Sequence, residues 1–262
     1  MIVYLIHLFV VSHNPSEELR ITRRVDDLID VENDLKSLPV GAVYIKDEPP
    51  KVICSSLLIR RQWSIAPAQC VSLRSNPDVV GFLPLWRILY RTSSLDFMRS
   101  EIIRGIVNPN FREDDLRNNI GLFKHSNITI SPLPSFDNNA LIYNRRNVQY
   151  NSTTIVGWSK DSFIGEGGYK GAVSASIDIL PKEECFSVIS YFIVPDEYEF
   201  CATPTTNSTI YFEHGAIFVL NNTIKGLFSW SEKQGRLLPF VFINISYYKS
   251  WITEVIELPN SS

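Results

Sequence analysis

The feature that most limits what this chain can fold into is a recurrence of short apolar or alternating runs, each bounded by turn-forming residues. They are "VGAVYI", "VICSSLLI", "SEIIRGIV", "NIGLFKH", "TTIVGW", "AIFVL", "IKGLFSW" and "FVFINISYY". Runs of this length, rich in β-branched and aromatic residues, read as strands. One stretch departs from the pattern: in "YYKSWITEVIEL", Trp251, Ile252, Val255 and Ile256 share one face of an amphipathic helix. Many short strands closed by a single helix argue for an all-β barrel or sandwich. Pro, Ser and Asn cluster without hydrophobic period at "SPLPSFDNN", residues 131 to 139, which places a boundary between two halves there. A chain of 262 residues, 45% of them hydrophobic, is long enough to bury a core as one large domain or two packed halves.

The opening "MIVYLIHLFVVS" has the length of a signal-peptide core, is too short to span a bilayer and ends at Ser12. It predicts a signal peptide over residues 1–12; a buried first strand is the alternative, since no Lys or Arg precedes the run and His7 interrupts it. No later segment reads as a membrane span. Six N-x-[ST] sequons, at Asn127, Asn151, Asn207, Asn221, Asn244 and Asn260, agree with secretion. So do four cysteines without a C-x-x-C or a nearby His, which suggest two disulfides rather than a metal site; three pairings are open. The net charge of −3 is spread without a long run of one sign, so no nucleic-acid footprint is expected. The pairs Arg23-Arg24, Arg60-Arg61 and Arg145-Arg146 read as solvated surface. The run "GEGGYKG" at 165 to 171 lacks the Lys-Ser/Thr of a phosphate loop and reads as a surface loop. No cofactor is implied.

The stretch "VICSSLLIRRQWSIAPAQCV" resembles the trypsin-like serine protease pattern in which a strand-borne Cys and "GGSLI" lead to "WVLTAAHC". Cys54, Ser55 to Ile59, Trp63, Ala66 and Cys70 fill matching positions, and Gln69 stands where that family has its catalytic histidine. The segment "IVNPNFREDDLRNNIGLFKH" is similar to "HPNY...NDIALLKL", with Asn119 at the aspartate position. "TTIVGWSKD" puts Gly157-Trp158 on the "SGWG" strand, and "KGLFSWS" puts Ser229, Trp230 and Ser231 on the cleft-lining strand. "FEHGAIFVL" overlies "GDSGGPLV", with His214 at the serine position. The close, "PFVFINISYYKSWITEVIE", looks like "PGVYTKVSNYVDWIKETI".

The resemblance implies two packed antiparallel six-stranded β-barrels with a C-terminal α-helix. The domain plan is a signal peptide at 1–12, a pro-segment at 13–24 and a peptidase domain at 25–258. Within that domain, one barrel is expected at about 25–130, the other at about 140–246 and the helix at about 247–258. The implied disulfides are Cys54–Cys70 and Cys185–Cys201. The family's serine becomes a nucleophile only when a histidine takes its proton and a carboxylate orients that histidine. Gln69 and Asn119 are neutral amides, and His214 has no such base beside it, so the expected protein is not an enzyme. Phe212 lies where the family uses a glycine N–H to bind the oxyanion, and Ser208 lies at the base of the specificity pocket. Activation cleavage would fall at Arg24-Val25, with Glu213 as the partner of the new N-terminus. His214 and Glu213 together lack a third ligand, so no metal is expected.

The implied function is binding, as a cofactor, decoy or scaffold for an extracellular protein such as a protease, a protease substrate or an inhibitor. Such a role would fit proteolytic cascades of immunity or reproductive fluid. The cleft loops carrying Gln69, Asn119, His214 and Trp230 are the candidate partner surface. The rivals are a hydrolase with altered catalytic residues and a glycan-binding module built on the Arg pairs.

Overall fold

The computed structural model describes residues 38–45, 51–75, 86–91, 97–128, 153–159, 163–164, 168–169, 171–189, 198–205, 211–221, 223–231 and 239–257. The expected signal peptide, pro-segment and 131–139 boundary lie outside these residues.

Six strands form the first barrel: β1 (Val40–Ile45), β2 (Lys51–Arg60), β3 (Trp63–Ala66), β4 (Trp86–Arg91), β5 (Phe97–Val107) and β6 (Gly121–His125). They close in the order β1-β2-β3-β6-β5-β4, every pair antiparallel. The second barrel uses β7 (Thr153–Gly157), β10 (Val173–Ile179), β11 (Glu199–Pro204), β12 (Ile217–Leu220), β13 (Thr223–Ser231) and β14 (Phe240–Asn244). It closes as β10-β11-β14-β13-β12-β7. A short hairpin, β8 (Phe163–Ile164) with β9 (Gly168–Tyr169), stands apart in the "GEGGYKG" region. The expected architecture of two six-stranded antiparallel barrels and a terminal helix is what forms.

Three cores explain why so many strands read as nearly continuous apolar runs. In a small barrel, alternate side chains of each strand fill the interior. Val43, Leu58, Ile88, Ile102 and Phe123 do so in the first barrel. In the second, Phe200 meets Phe218 edge-on at 5.0 Å and stacks on Phe242 at 5.3 Å. The other faces of several strands are also buried, because the barrels pack on each other. Leu57, Ile65 and Leu122 from one meet Val156, Ile217 and Leu227 from the other in a single cluster. Each such side chain contributes about 1.5–3 kcal/mol on burial. Trp158 is fully buried in that cluster and donates Nε1–H to the Val40 carbonyl at 2.9 Å, joining the barrels.

Three helices complete the described chain: α1 (Ala68–Ser75), α2 (Lys182–Val188) and α3 (Lys249–Glu257). The last is the expected amphipathic helix, with Ile252 buried and Trp251, Val255 and Ile256 packed beside it. The first two were not expected. Each follows a proline, Pro67 or Pro181, whose fixed φ suits a helix start. Each also carries a half-cystine. Cys70 bridges to Cys54 on β2 and Cys185 to Cys201 on β11, with Cα atoms 6.3 and 5.9 Å apart, so both expected disulfides are present. A bridge of this kind typically contributes about 2–4 kcal/mol, which anchors a helix too short to be stable alone.

The run "FVFINISYY" is not one strand. β14 ends at Asn244, whose side-chain oxygen accepts from the Ser246 N–H at 3.2 Å and starts a 3₁₀ turn over Ile245–Tyr248. Ile245 and Tyr248 are both buried at the three-residue period of that turn.

Candidate functional site

At the junction of the barrels, four side chains from four elements meet. Gln69 stands in the first turn of α1, directly after β3. Asn119 lies in the loop before β6, where Leu116 and Asn118 take left-handed conformations with φ of 55° and 52°. That loop is pinned from both sides. Asn118 donates to the Asn110 carbonyl at 3.1 Å and accepts from the Tyr248 hydroxyl at 2.9 Å. Ser229 belongs to β13, and His214 occupies the tight turn before β12, next to Gly215 at φ +89°.

Asn119 is the hub. Its oxygen accepts from the Gln69 backbone N–H at 3.0 Å, and its Nδ2 donates to the Ser229 hydroxyl at 2.8 Å and to Gln69 Oε1 at 3.3 Å. Gln69 Nε2 donates to the Ser229 carbonyl at 3.3 Å, and His214 Nδ1 meets the same carbonyl at 2.7 Å. A carbonyl only accepts, so Nδ1 of His214 carries the hydrogen. The imidazole also stacks on Phe228, with ring centroids 5.4 Å apart. Asn119 and Ser229 have no solvent exposure. The Ser229 oxygen faces an amide, which cannot take its proton. Neither the two amides nor the serine hydroxyl exchanges a proton near neutral pH.

The loop bearing His214 is held by backbone bonds. Its carbonyl accepts from Ser55 N–H at 2.7 Å, and Glu213 N–H donates to the Trp158 carbonyl at 2.8 Å. Phe212 is buried in the core of the second barrel. Glu213 is also buried. The expected cleavage site Arg24-Val25, whose new N-terminus would pair with Glu213, lies outside the described residues, as does Ser208. Ser231 ends β13, half-buried.

Two members of the expected partner surface need correction. Asn119 is enclosed, and Trp230, 7% exposed, packs with Val241 against the Cys185–Cys201 bridge. Neither presents a face to a partner. Gln69 and His214 are half-buried and stay at the cleft. Among the described residues, no group of three or more His, Cys, Asp or Glu is placed to hold a metal.

The sequence reading missed a second polar cluster, inside the first barrel. His125 Nδ1 bonds the Ser126 carbonyl at 2.9 Å, which makes Nε2 the acceptor for the Ser64 hydroxyl at 2.8 Å. Ser64 in turn contacts the Tyr90 hydroxyl, and Tyr90 contacts Ser56 at 3.3 Å. A serine hydrogen-bonded to an oriented histidine has the form of a nucleophile and its base. Here both are fully buried, as is Tyr90, so no substrate reaches them. The signal was present: in "NIGLFKH", His125 alternates with Phe123 and so faces the barrel interior.

This cluster sets a pH dependence. Burial holds the His125 imidazole below its usual range, only partly offset by the bond to the Ser126 carbonyl, while burial raises the Tyr90 phenol. The unfolded chain takes up the proton near pH 6.5 and the folded chain resists it, so stability is full above that pH and falls as pH drops through the window below it. Thermal unfolding of the wild type should show a lower Tm at pH 5 than at pH 7.5, and His125→Gln should flatten that difference. An unchanged pH profile in the variant would remove His125 as its source.

Three sequons fall on described residues. Asn127 and Asn221 are exposed, whereas Asn244 is buried and its oxygen caps the 3₁₀ turn. Asn244 is therefore withdrawn as an acceptor, because glycosyl transfer needs an accessible amide. Expressed through a glycosylating secretory route, Asn127→Gln and Asn221→Gln should each lower the apparent mass by one glycan, and Asn244→Gln should leave it unchanged. Gel mobility with and without glycosidase reads the result.

A search of curated proteins gives no match. Two solved structures share the fold. One is neuropsin, a serine protease expressed in the limbic system of mouse brain, at 18% identity and a TM-score of 0.62, covering 85% of this chain and 96% of that one. The other is the scabies mite inactivated protease paralogue S-I1, at 18% identity and a TM-score of 0.64, covering 87% and 99%. The sequence profile of the family described as Trypsin matches residues 34–252. With that match over most of its length and both barrels in place, the chain belongs to the trypsin family.

Proposed function

We propose that this protein is a secreted, non-catalytic member of its family that acts by binding an extracellular protein. The observation that carries the reading is the Gln69, Asn119 and Ser229 network, in which amides occupy the base and orienting positions and bond to each other. An amide neither accepts nor returns a proton near neutral pH. Loss of such a unit costs on the order of 10⁶ in kcat, and amidation of the aspartate alone roughly 10⁴. Secretion is supported by the two disulfides, which persist in oxidising compartments, and by the exposed sequons. A structural relative is described as an inactivated protease paralogue, which fits the same reading. The partner class favoured is a protease, a protease substrate or an inhibitor, met through the cleft rim around Gln69 and His214.

The test combines a serine-directed fluorophosphonate probe with turnover of a broad peptide library, before and after cleavage at Arg24. Silence in both is expected. Labelling of a serine in the cleft, or turnover abolished by His214→Ala, would overturn the reading.

A further inference from the structure

The pair Arg60-Arg61 reads as solvated surface in the sequence, and the fold continues it into a row across four strands. Arg60 on β2 lies opposite Trp63 on β3, Trp63 opposite Lys124 on β6, and Lys124 opposite Arg104 on β5. Residues directly opposite one another share a face of the sheet at a spacing of about 5 Å, so the row runs roughly 15 Å. Lys124 Nζ sits over the Trp63 ring, 5.7 Å from its centroid, which shows the two on the same face. Arg60, Arg61 and Arg104 are exposed. Two β-bulges set the alignment. Each skips an isoleucine, Ile59 on β2 and Ile103 on β5, and places the following arginine in the row instead. Ile103 is left 55% exposed beside it.

These charges are weakly neutralised. Among the described residues, neither Arg61 nor Arg104 makes an ion pair. Arg60 has Glu257 at 4.0 Å, with both side chains more than half exposed, and such a pair holds little. Glu101, farther along β5, is taken by Arg87 at 3.2 Å. Lys124 adds its charge to the field of the row without leaving the indole. The whole chain carries −3, so attraction for an anion is local to this face.

An occupant must match a surface that offers no backbone edge. β2, β3, β5 and β6 are hydrogen-bonded on both sides within the closed barrel, so no peptide strand can be added here. Recognition rests on side chains alone. Guanidinium groups bind tetrahedral oxyanions through paired N–H donors, and a stiff chain carrying such groups along its length loses little freedom on meeting a row of them. An acidic polypeptide would be ordered at greater cost. We infer that this face binds a sulfated glycan chain, with its sulfates on Arg60, Arg61 and Arg104. The choice of a glycan over a nucleic acid rests on the secretion proposed above, and no residue of the Asn119 cluster takes part. One of the protein's own sequons lies close by: Ile128 N–H donates to the Arg61 carbonyl at 2.8 Å, so Asn127 borders the row, and a sugar chain there would crowd its edge.

Titration of the full glycosylated chain with a heparin oligosaccharide tests the site, beside the same oligosaccharide stripped of its sulfates and a polyglutamate of matched charge. The sulfated chain should bind saturably and about tenfold more tightly than either comparison chain, with affinity falling as salt rises. R61E/R104E should weaken it about tenfold, whereas Lys182→Glu, a reversal in the second barrel, should not. Both arginines are exposed, so the double variant should keep the wild-type Tm. Asn127→Gln should bind at least as tightly as the wild type. Absence of saturable binding, or full binding to R61E/R104E, would overturn the site. Equal affinity for polyglutamate would overturn the glycan and assign the face to an acidic polypeptide. The comparison of ligands needs no variant and uses purified components, so neither a misfolded mutant nor a failure of the secreted, non-catalytic reading can mask the answer.

Discussion

Installing His, Asp and Ser at the positions proposed for the family's triad, by Q69H, N119D and H214S together, is expected to leave the protein without measurable proteolysis, within about tenfold of the wild-type background. The three positions are close enough for the side chains to meet, because Gln69, Asn119 and His214 already converge on Ser229 or its carbonyl. The Ser229 hydroxyl can also turn to donate to a new carboxylate at 119. What the triple variant does not restore is the glycine at the expected oxyanion-donor position: Phe212 stands there with its side chain committed to the core of the second barrel, which is expected to hold its backbone N–H out of the required geometry. One such donor accounts for about 10²–10³ in kcat. Adding Phe212→Gly should therefore raise turnover of a peptide amide by that factor over the triple variant. The same change empties a buried aromatic site and should lower stability by about 3–5 kcal/mol. Turnover and denaturant midpoints measured on one set of variants test both halves. Efficient proteolysis by the triple variant alone would show that Phe212 is no obstacle.

Gly215→Ala is expected to have the largest effect on folding of any single methyl addition at the site. Gly215 has φ +89°, and a Cβ there would lie 2.1 Å from the Ser55 carbonyl oxygen and 2.9 Å from Pro67 Cδ. The left-handed backbone alone costs an L-residue about 1–2 kcal/mol. Overpacking adds about 1–3 kcal/mol, and here the clash is with backbone, which cannot swing aside. The Gly215 N–H also donates to the Phe228 carbonyl at 2.8 Å, and Ser55 N–H to the His214 carbonyl at 2.7 Å, so relief of the clash would break the contact between the barrels. The expected result is loss of secreted yield, or a loss of about 3–5 kcal/mol in whatever is recovered. Wild-type yield and an unchanged unfolding midpoint would show that the loop can move without cost.

Much of the fold was legible because burial on two faces writes itself into composition. Strands such as β1 and β13 lie between a barrel interior and the junction with the other barrel, so both alternating sets of residues are apolar. Strands with polar or small residues were lost: "VSASIDI" of β10 presents Ser and Asp to solvent, and "EFCATP" of β11 carries little hydrophobic signal. Helices α1 and α2 escaped notice because a disulfide and a proline hold them, not an apolar stripe. At the site, motif spacing singled out Gln69, Asn119 and His214, which the structure brings together around Ser229. It gave no view of how their amide hydrogens are arranged, or that Asn119 and Trp230 are enclosed. The Ser64, Tyr90 and His125 chain was hidden for a related reason, since its members are far apart in sequence and meet only when β3, β4 and β6 close.

The Asn119 cluster has a consequence for the environments in which the two barrels stay locked together. A junction built from a carboxylate and an imidazole redistributes protons as acidity changes, and its hydrogen bonds reverse or break with them. Here the cross-barrel ties run through two carboxamides, a hydroxyl and a peptide carbonyl, none of which ionises across the physiological range. The bond from His214 is compatible with that constancy, because an Nδ1–H donates whether or not Nε2 is protonated. These amide and hydroxyl ties are thereby indifferent to acidity, whereas the His125 cluster inside the first barrel responds to it. A drop in pH would loosen the first barrel from within while the clasp between the halves keeps its form.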